Sequence, residues 1–202
     1  MRRGALCFSG VCACACLVLA GGCARARDSD PVERREAADA AVAVDPPVMA
    51  YLSLARAMHH EANLKEDDDV PGAITALERL LAAKRPHPTD RIPEIEEVLA
   101  DTCARIAELY VRQGDAKHAN ERVREGLTHA QGPSYFRGHL LEVGGISEEA
   151  RAAALRDAGK ADEAKGAKAH ALELLHQAVM VQEQVVSESL GTTATRREGG
   201  SK

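Results

Sequence analysis

Aromatic side chains are the scarcest material in this chain: three Tyr, two Phe and no Trp in 202 residues. Ligand pockets and enzyme clefts are lined mainly by large apolar and aromatic groups, so there is little here to build one. Runs of β-branched residues are missing as well, which argues against a sheet. No Gly-rich loop could cradle a phosphate, and no Ser sits in a nucleophile elbow. His59-His60-Glu61 lacks the second His four positions on, where Asn63 stands, and a metal needs three or four convergent ligands. His170 and His176 are six apart and face different sides of one helix. Asp67-Asp68-Asp69 lacks the alternate spacing and closing Glu of a calcium loop. Basic excess is lacking too: 26 Lys and Arg against 31 Asp and Glu give a net charge of −5. Such a surface repels phosphate backbones, which excludes nucleic acid as a partner. The chain is predicted not to be an enzyme, with no catalytic residue, no metal and no cofactor.

What is present starts at the N-terminus. Arg2 and Arg3 precede an uncharged run from Gly4 to Gly22, and small residues lead into Cys23. This is the layout of a secretory signal. Leu19-Ala20-Gly21-Gly22-Cys23 resembles the signal box of bacterial lipoproteins, although their usual Leu three residues before the Cys is Ala20 here. The resemblance implies removal of residues 1–22 and lipid, including a palmitate-type chain, on Cys23. It also implies attachment to the bacterial cell envelope. Ala24 rather than Asp follows the Cys, so the resemblance points to the outer membrane, facing the periplasm. Two other outcomes stay open: cleavage after Ala26 to give a soluble secreted protein, or retention of the uncharged run as a membrane helix. Cys7, Cys12, Cys14 and Cys16 lie inside the signal, so lipidation of Cys23 leaves Cys103 alone. That excludes a disulfide framework within the chain. Cys103 is predicted to be a small core residue.

Residues 23–47 mix charge, Ala and Pro without an apolar stripe and read as a flexible tether. Residues 190–202 carry Thr, Gly and charge and read as a disordered tail. Between them, 48–189 reads as an all-α domain. Alanine is abundant, and it combines high helix propensity with a side chain small enough for close helix approach. Tyr51, Ala55, Met58 and Ala62 give a helix over about 48–65. Pro71 opens a second, faced by Ile74, Leu77 and Leu81 and stopped by Pro86 and Pro88. Ile92, Ile95, Leu99, Thr102, Ile106 and Leu109 hold a 3–4 spacing from near Asp90 to Gly114. Asp115 caps the next helix, with Ala119, Val123 and Leu127 inward, and Gly132-Pro133 breaks it. The spacing then predicts a short helix over 134–143, a break at Gly144-Gly145, and a new helix capped by Ser147 and ended by Gly159. The last helix, to about Ser189, bears two strips: Ala164 to Val185, and Leu172, Leu175, Val179 and Val186.

The segments also repeat. Ala76-Leu77-Glu78-Arg79-Leu80-Leu81-Ala82-Ala83 has small, large and small residues at relative positions 0, 4 and 7, and so does the stretch from Ala171 to Ala178. In the centre, Ile106-Ala107, Tyr110, Gly114-Asp115, Ala119, Val123 and Gly126-Leu127 follow in order. This resembles a tetratricopeptide repeat, in which an aromatic of the first helix, a Gly-Asp turn and small residues of the second helix let two antiparallel helices approach. The resemblance spans roughly 49–188 and implies about three divergent units stacked as a short solenoid. Ala76, Ala119 and Ala164 mark the crossings, with Ala171 the alternative to Ala164 in the third unit. An unrelated Ala-rich bundle stays open as the other architecture.

Arrays of this family offer a continuous concave surface to a protein partner, here expected from helices near 48–65, 91–113 and 147–158. The expected function is a non-catalytic interaction scaffold at the envelope, serving assembly of a complex there. Alternatives are a ligand- or metal-binding sensor in a bundle, which would gather His59, His60, His118 or His129, and a self-associating structural lipoprotein. Candidate partner contacts are Tyr135 and Phe136, which hold half the aromatics after Cys23, and Val179 and Val186. The last helix is expected to cover its second strip with an earlier helix up to about Leu175 and with another molecule beyond it. The identity of the protein partner is not written in the sequence.

Overall fold

The computed structural model describes residues 45–198, with side-chain surroundings to residue 190; the signal segment, Cys23 and most of the tether lie outside the described residues. Six helices follow one another: α1 (Pro46–Lys65), α2 (Val70–Leu81), α3 (Pro93–Arg112), α4 (Ala116–His129), α5 (Tyr135–Asp157) and α6 (Ala161–Glu198), and no strand occurs among the described residues. None of these helices is long and apolar enough to cross a membrane.

Local chemistry sets most of the ends. Pro46 and Pro47 open α1, and Pro93 opens α3, at positions whose N–H groups have no helical partner anyway. Asp69 caps α2, its Oδ1 accepting from the Gly72 N–H at 2.9 Å. A β-carbon at position 72 would stand 1.9 Å from Asp69 Oδ2, so glycine there lets the carboxylate fold over the helix end. Asp115 and Ser134 cap α4 and α5 in the same way, accepting from His118 N and Arg137 N, each at 3.1 Å. Gly114 and Gly159 turn the chain between α3 and α4 and between α5 and α6 with φ of 76° and 75°, where a side chain would be strained.

The helices pack in a fixed order. α1 pairs with α2, α3 with α4 and α5 with α6; α3 also rests on α1 and α2, and α5 on α3 and α4. No Cα of the first pair comes within 8 Å of one in the third. Tyr51, Ala55, Met58, Leu80, Ile95 and Leu99 form one buried cluster, and Ala62, Ala76, Leu77, Ile106 and Leu109 another. Ala107, Ala119, Val123 and Val143 join α3, α4 and α5. Each fully buried Leu or Ile in these clusters contributes roughly 1.5–3 kcal/mol. A spacing of 45 positions relates the first helices of the pairs: Ala55, Ala100 and Gly145 face inward in turn, as do Ala62 and Ala107, and Thr102 recurs as Ser147.

Five expectations need correction. Helices predicted over 134–143 and from 147 are one helix, because Gly144-Gly145 is a site of close approach and not a break. A β-carbon on Gly144 would lie 3.2 Å from Val123 Cγ1, and one on Gly145 3.3 Å from the Ala171 carbonyl oxygen. Ser147 is therefore no cap; it is buried in mid-helix, and its hydroxyl donates to the Ala116 carbonyl at 3.2 Å. The third expected surface helix accordingly becomes 135–157. α3 starts at Pro93 rather than near Asp90, with Ile92 as the residue before it. Finally, α6 runs past Ser189 to Glu198, into the stretch expected to be tail.

Candidate functional site

Because α3 touches both α1 and α5, these three helices share one face of the domain. Polar side chains stitch it. His59 Nε2 lies 2.9 Å from the Thr102 hydroxyl, which itself donates to the Val98 carbonyl, so the imidazole is the donor. Arg105 reaches from α3 to Asn63 Oδ1 at 3.1 Å and to the Glu66 carboxylate. Arg112 donates to the Glu66 carbonyl at 2.9 Å. On the other side His139 of α5 sits 3.3 Å from Glu108. Between α3 and α5 an open groove of about 300 Å³ is lined by Arg105, Glu108, Leu109, Arg112 and Ile146 among others. Ile146 is exposed there. The groove thus offers an apolar floor beside two guanidinium groups and two carboxylates, Glu66 and Glu108.

The two histidines on this face are tuned in opposite directions. Burial pushes His59 below its ordinary value, against the pull of Asp101. His139 is raised, chiefly by its hydrogen bond to Glu108, which outweighs burial, with Glu142 adding to the effect.

A second polar centre lies under the long connection between α2 and α3. Glu96, 7% exposed, meets Arg85, Arg91 at 3.0 Å and His129 Nδ1 at 2.8 Å. Arg91 also donates to the carbonyls of Thr128 and His129 at the end of α4. Burial alone would raise Glu96, but the hydrogen bonds from His129 and Arg85 hold its carboxyl below the usual range. The centre ties loop 82–92 to α3 and α4 and lines a cleft of about 260 Å³ with Phe136.

The residues singled out in the sequence separate into several environments. Ala76, Ala119 and Ala171 are fully buried at helix contacts, whereas Ala164 is only half-buried, so Ala171 is the tighter crossing in the third pair. Tyr110 packs beside Ala119, its ring stacked on His118 at 5.3 Å, next to the left-handed Gly114. Tyr135 is 65% exposed and meets Phe136 edge-on, while Phe136 turns inward against Ala100, Cys103 and Leu140. Val179 and Val186 are exposed, Val186 by 58%. Leu172, expected to be covered by an earlier helix, is exposed as well; only Leu175 of that half reaches one, against Gly145. Cys103 is fully buried, and burial pushes its thiol up to about 12, which leaves no thiolate near neutral pH. His59, His118 and His129 each have a different partner, and no group of three metal-ligating side chains converges among the described residues.

Glu96, Arg105 and His139 were not singled out in the sequence. Glu96 directly follows Ile95 on the buried flank of α3, and a charge so close to an apolar stripe was the available signal. Arg105 and His139 leave no such trace, because their partners are 39 and 31 positions away. No protein-family model matches the chain, and neither a curated protein nor a solved structure matches it.

Proposed function

We propose that this protein is a lipid-anchored envelope scaffold, tethered through Cys23, whose helices form a short tetratricopeptide-like array that binds a protein segment on the face shared by α1, α3 and α5. The observation that carries this reading is the groove beside Ile146. It combines exposed apolar surface with Arg105 and Arg112 where α3 lies between α5 and Glu66 at the end of α1. The packing order supports the array, since each later pair rests on both helices of the pair before it. The central unit supports it too, with Gly114 left-handed, Asp115 capping, and Ala119 and Gly126 buried against α3 and α5. In this reading the partner lays an apolar side chain over Ile146 and the half-buried Val111. A partner carboxylate then competes with Glu66 for the two arginines.

Two experiments test the two halves. Cys23→Ser should leave an unprocessed precursor that takes up no labelled palmitate; normal processing of that variant would overturn the lipid anchor. A photo-crosslinker placed at Ile146 in cells should capture a discrete protein partner, and one at exposed Arg124 of α4 should not. Capture only from Arg124 would put the binding face elsewhere.

A further inference from the structure

We infer that copies of this chain associate head to tail, the outward face of α1 in one copy seating in the groove between α5 and α6 of the next. The two ends of the domain carry the two halves of a junction that is already built twice inside it. In the first internal junction Ile95, Leu99, Thr102, Ile106 and Leu109 of α3 are buried against the first pair. Forty-five positions earlier, in the register that relates the pairs, stand Ala50, Leu54, Ala57, Glu61 and Leu64 on α1. None of these five is buried among the described residues. Leu54 is 39% and Leu64 72% exposed. α1 therefore has two apolar stripes, the inward one from Tyr51 to Ala62 and this second one, and the described chain covers only the first.

At the other end lies an open groove of about 440 Å³. Ala161, Ala164, Lys165 and Lys168 of α6 line one wall, and they are the 45-position equivalents of Ala116, Ala119, Asn120 and Val123. Those residues of α4 are the ones that α5 covers: Ser147 bonds to Ala116, Val143 packs on Ala119 and Val123, and Glu148 accepts from Asn120 at 2.5 Å. Ala152, Ala153 and Arg156 of the opposite wall are the equivalents of Ala107, Glu108 and Val111 on α3. The groove is thus the seat that α5 occupies one pair earlier, without its helix. Leu172 continues it, being the equivalent of Leu127, which packs beside α5.

Charge agrees with the geometry. The wall positions filled by Asn120, Val123 and Val111 inside the domain become Lys165, Lys168 and Arg156 at its end, and Lys168 makes no ion pair with a described residue. The one charged member of the outward α1 stripe is Glu61. Its equivalent, Ile106, packs with Ala62, so by register Glu61 falls beside Ala152, the equivalent of Ala107, and close to Arg156. The groove gains one carboxylate as well, Glu149 in place of Ala104, so its three cations leave a positive excess toward Glu61, which within its own copy pairs with Lys65 and Arg79. The occupant is a second copy because the complementary halves belong to the same chain and continue an interface that the chain already makes. Such a contact is heterologous, so it propagates into chains of copies or closes into a ring. This inference depends on neither Cys23 nor the Ile146 groove.

The test uses the purified full chain and two variants. Leu54→Asp spoils the α1 face and keeps the groove; Ala153→Trp fills the groove and keeps the α1 face. Sedimentation velocity should show wild-type species larger than a monomer, growing with concentration. Each variant alone should be monomeric with unchanged helicity. An equal mixture of the two should form a species of two copies and stop there, because one good face and one good groove remain. If Ala153→Trp loses helicity, Lys168→Glu takes its place in the same mixture. A wild type that stays monomeric at every concentration, variants that still associate alone, or a mixture that stays monomeric would each overturn the inference. So would a photo-crosslinker at Leu54 that captures only other proteins.

Discussion

Gly145 of α5 faces Leu175 of α6 so closely that a β-carbon at position 145 would stand 2.6 Å from Leu175 Cγ and 3.3 Å from the Ala171 carbonyl oxygen. Gly166 of α6 has nothing within 4 Å of the same imagined atom. The two glycines are both helical, so the helix-propensity gain of an Ala, about 1 kcal/mol, is common to them. At Gly145 it is opposed by overpacking of roughly 1–3 kcal/mol. Gly166→Ala should therefore raise the unfolding midpoint in urea, and Gly145→Ala should lower it. Equal shifts for the two would mean that α5 and α6 are not in close contact at this point.

Glu96 is the one carboxylate on which Arg85, Arg91 and His129 converge, and removing it strands the half-buried Arg85. Glu96→Ala should cost about 3 kcal/mol, the low end for breaking a buried pair, because Arg91 stays half in water. The wild-type carboxyl is held below its ordinary value. Its contribution is therefore present above that value and is lost as pH falls through the depressed one. Urea melts between pH 3 and 7 should show a steeper loss of stability for wild type than for Glu96→Ala. Parallel curves would show that the cluster contributes nothing.

His59 and His139 should titrate on opposite sides of the ordinary imidazole value, His59 below it and His139 above. The signs differ in consequence. His139 gains from its charge beside Glu108, so its contribution is complete below the ordinary value and fades as pH rises through the raised one. His59 gains from staying neutral, so its contribution is complete above the ordinary value and fades as pH falls through the lowered one. Resolved imidazole resonances across pH 5 to 8 check this directly, and His139 titrating at or below His59 would contradict it.

Ala119 is fully buried with Ala107, Val123 and Val143. Ala119→Leu should cost roughly 1–3 kcal/mol through added bulk at the contact of α3, α4 and α5. Ala164→Leu should cost much less, because Ala164 is half-exposed on the open groove. A thermal melt of the two variants side by side decides between them.

The inward faces of α1 to α4 and most of their ends were legible in the sequence, because both rest on local signals; the end of α2 at Leu81, short of Pro86, and the start of α3 at Pro93 were not. Proline at a first turn, Asp115 at a cap and Gly114 beyond a last turn act within a few residues. A 3–4 stripe such as Leu99, Thr102 and Ile106 can be counted without knowing what it meets. What only the tertiary structure decided depends on distant partners. Gly144-Gly145 reads as a break until Val123, Ala171 and Leu175 are brought against it, and then the missing β-carbons let three helices meet. Glu96 reads as a surface charge until the chain folds Arg85, Arg91 and His129 around it. The two strips of α6 are equivalent as periodicity, and only the arrival of α5 buries Ala167, Ala171 and Ala178 while leaving Leu172, Val179 and Val186 in water. Helix formation follows from short-range sterics and hydrogen bonding along the chain, whereas the choice of which face to bury is made by the neighbour that comes to cover it.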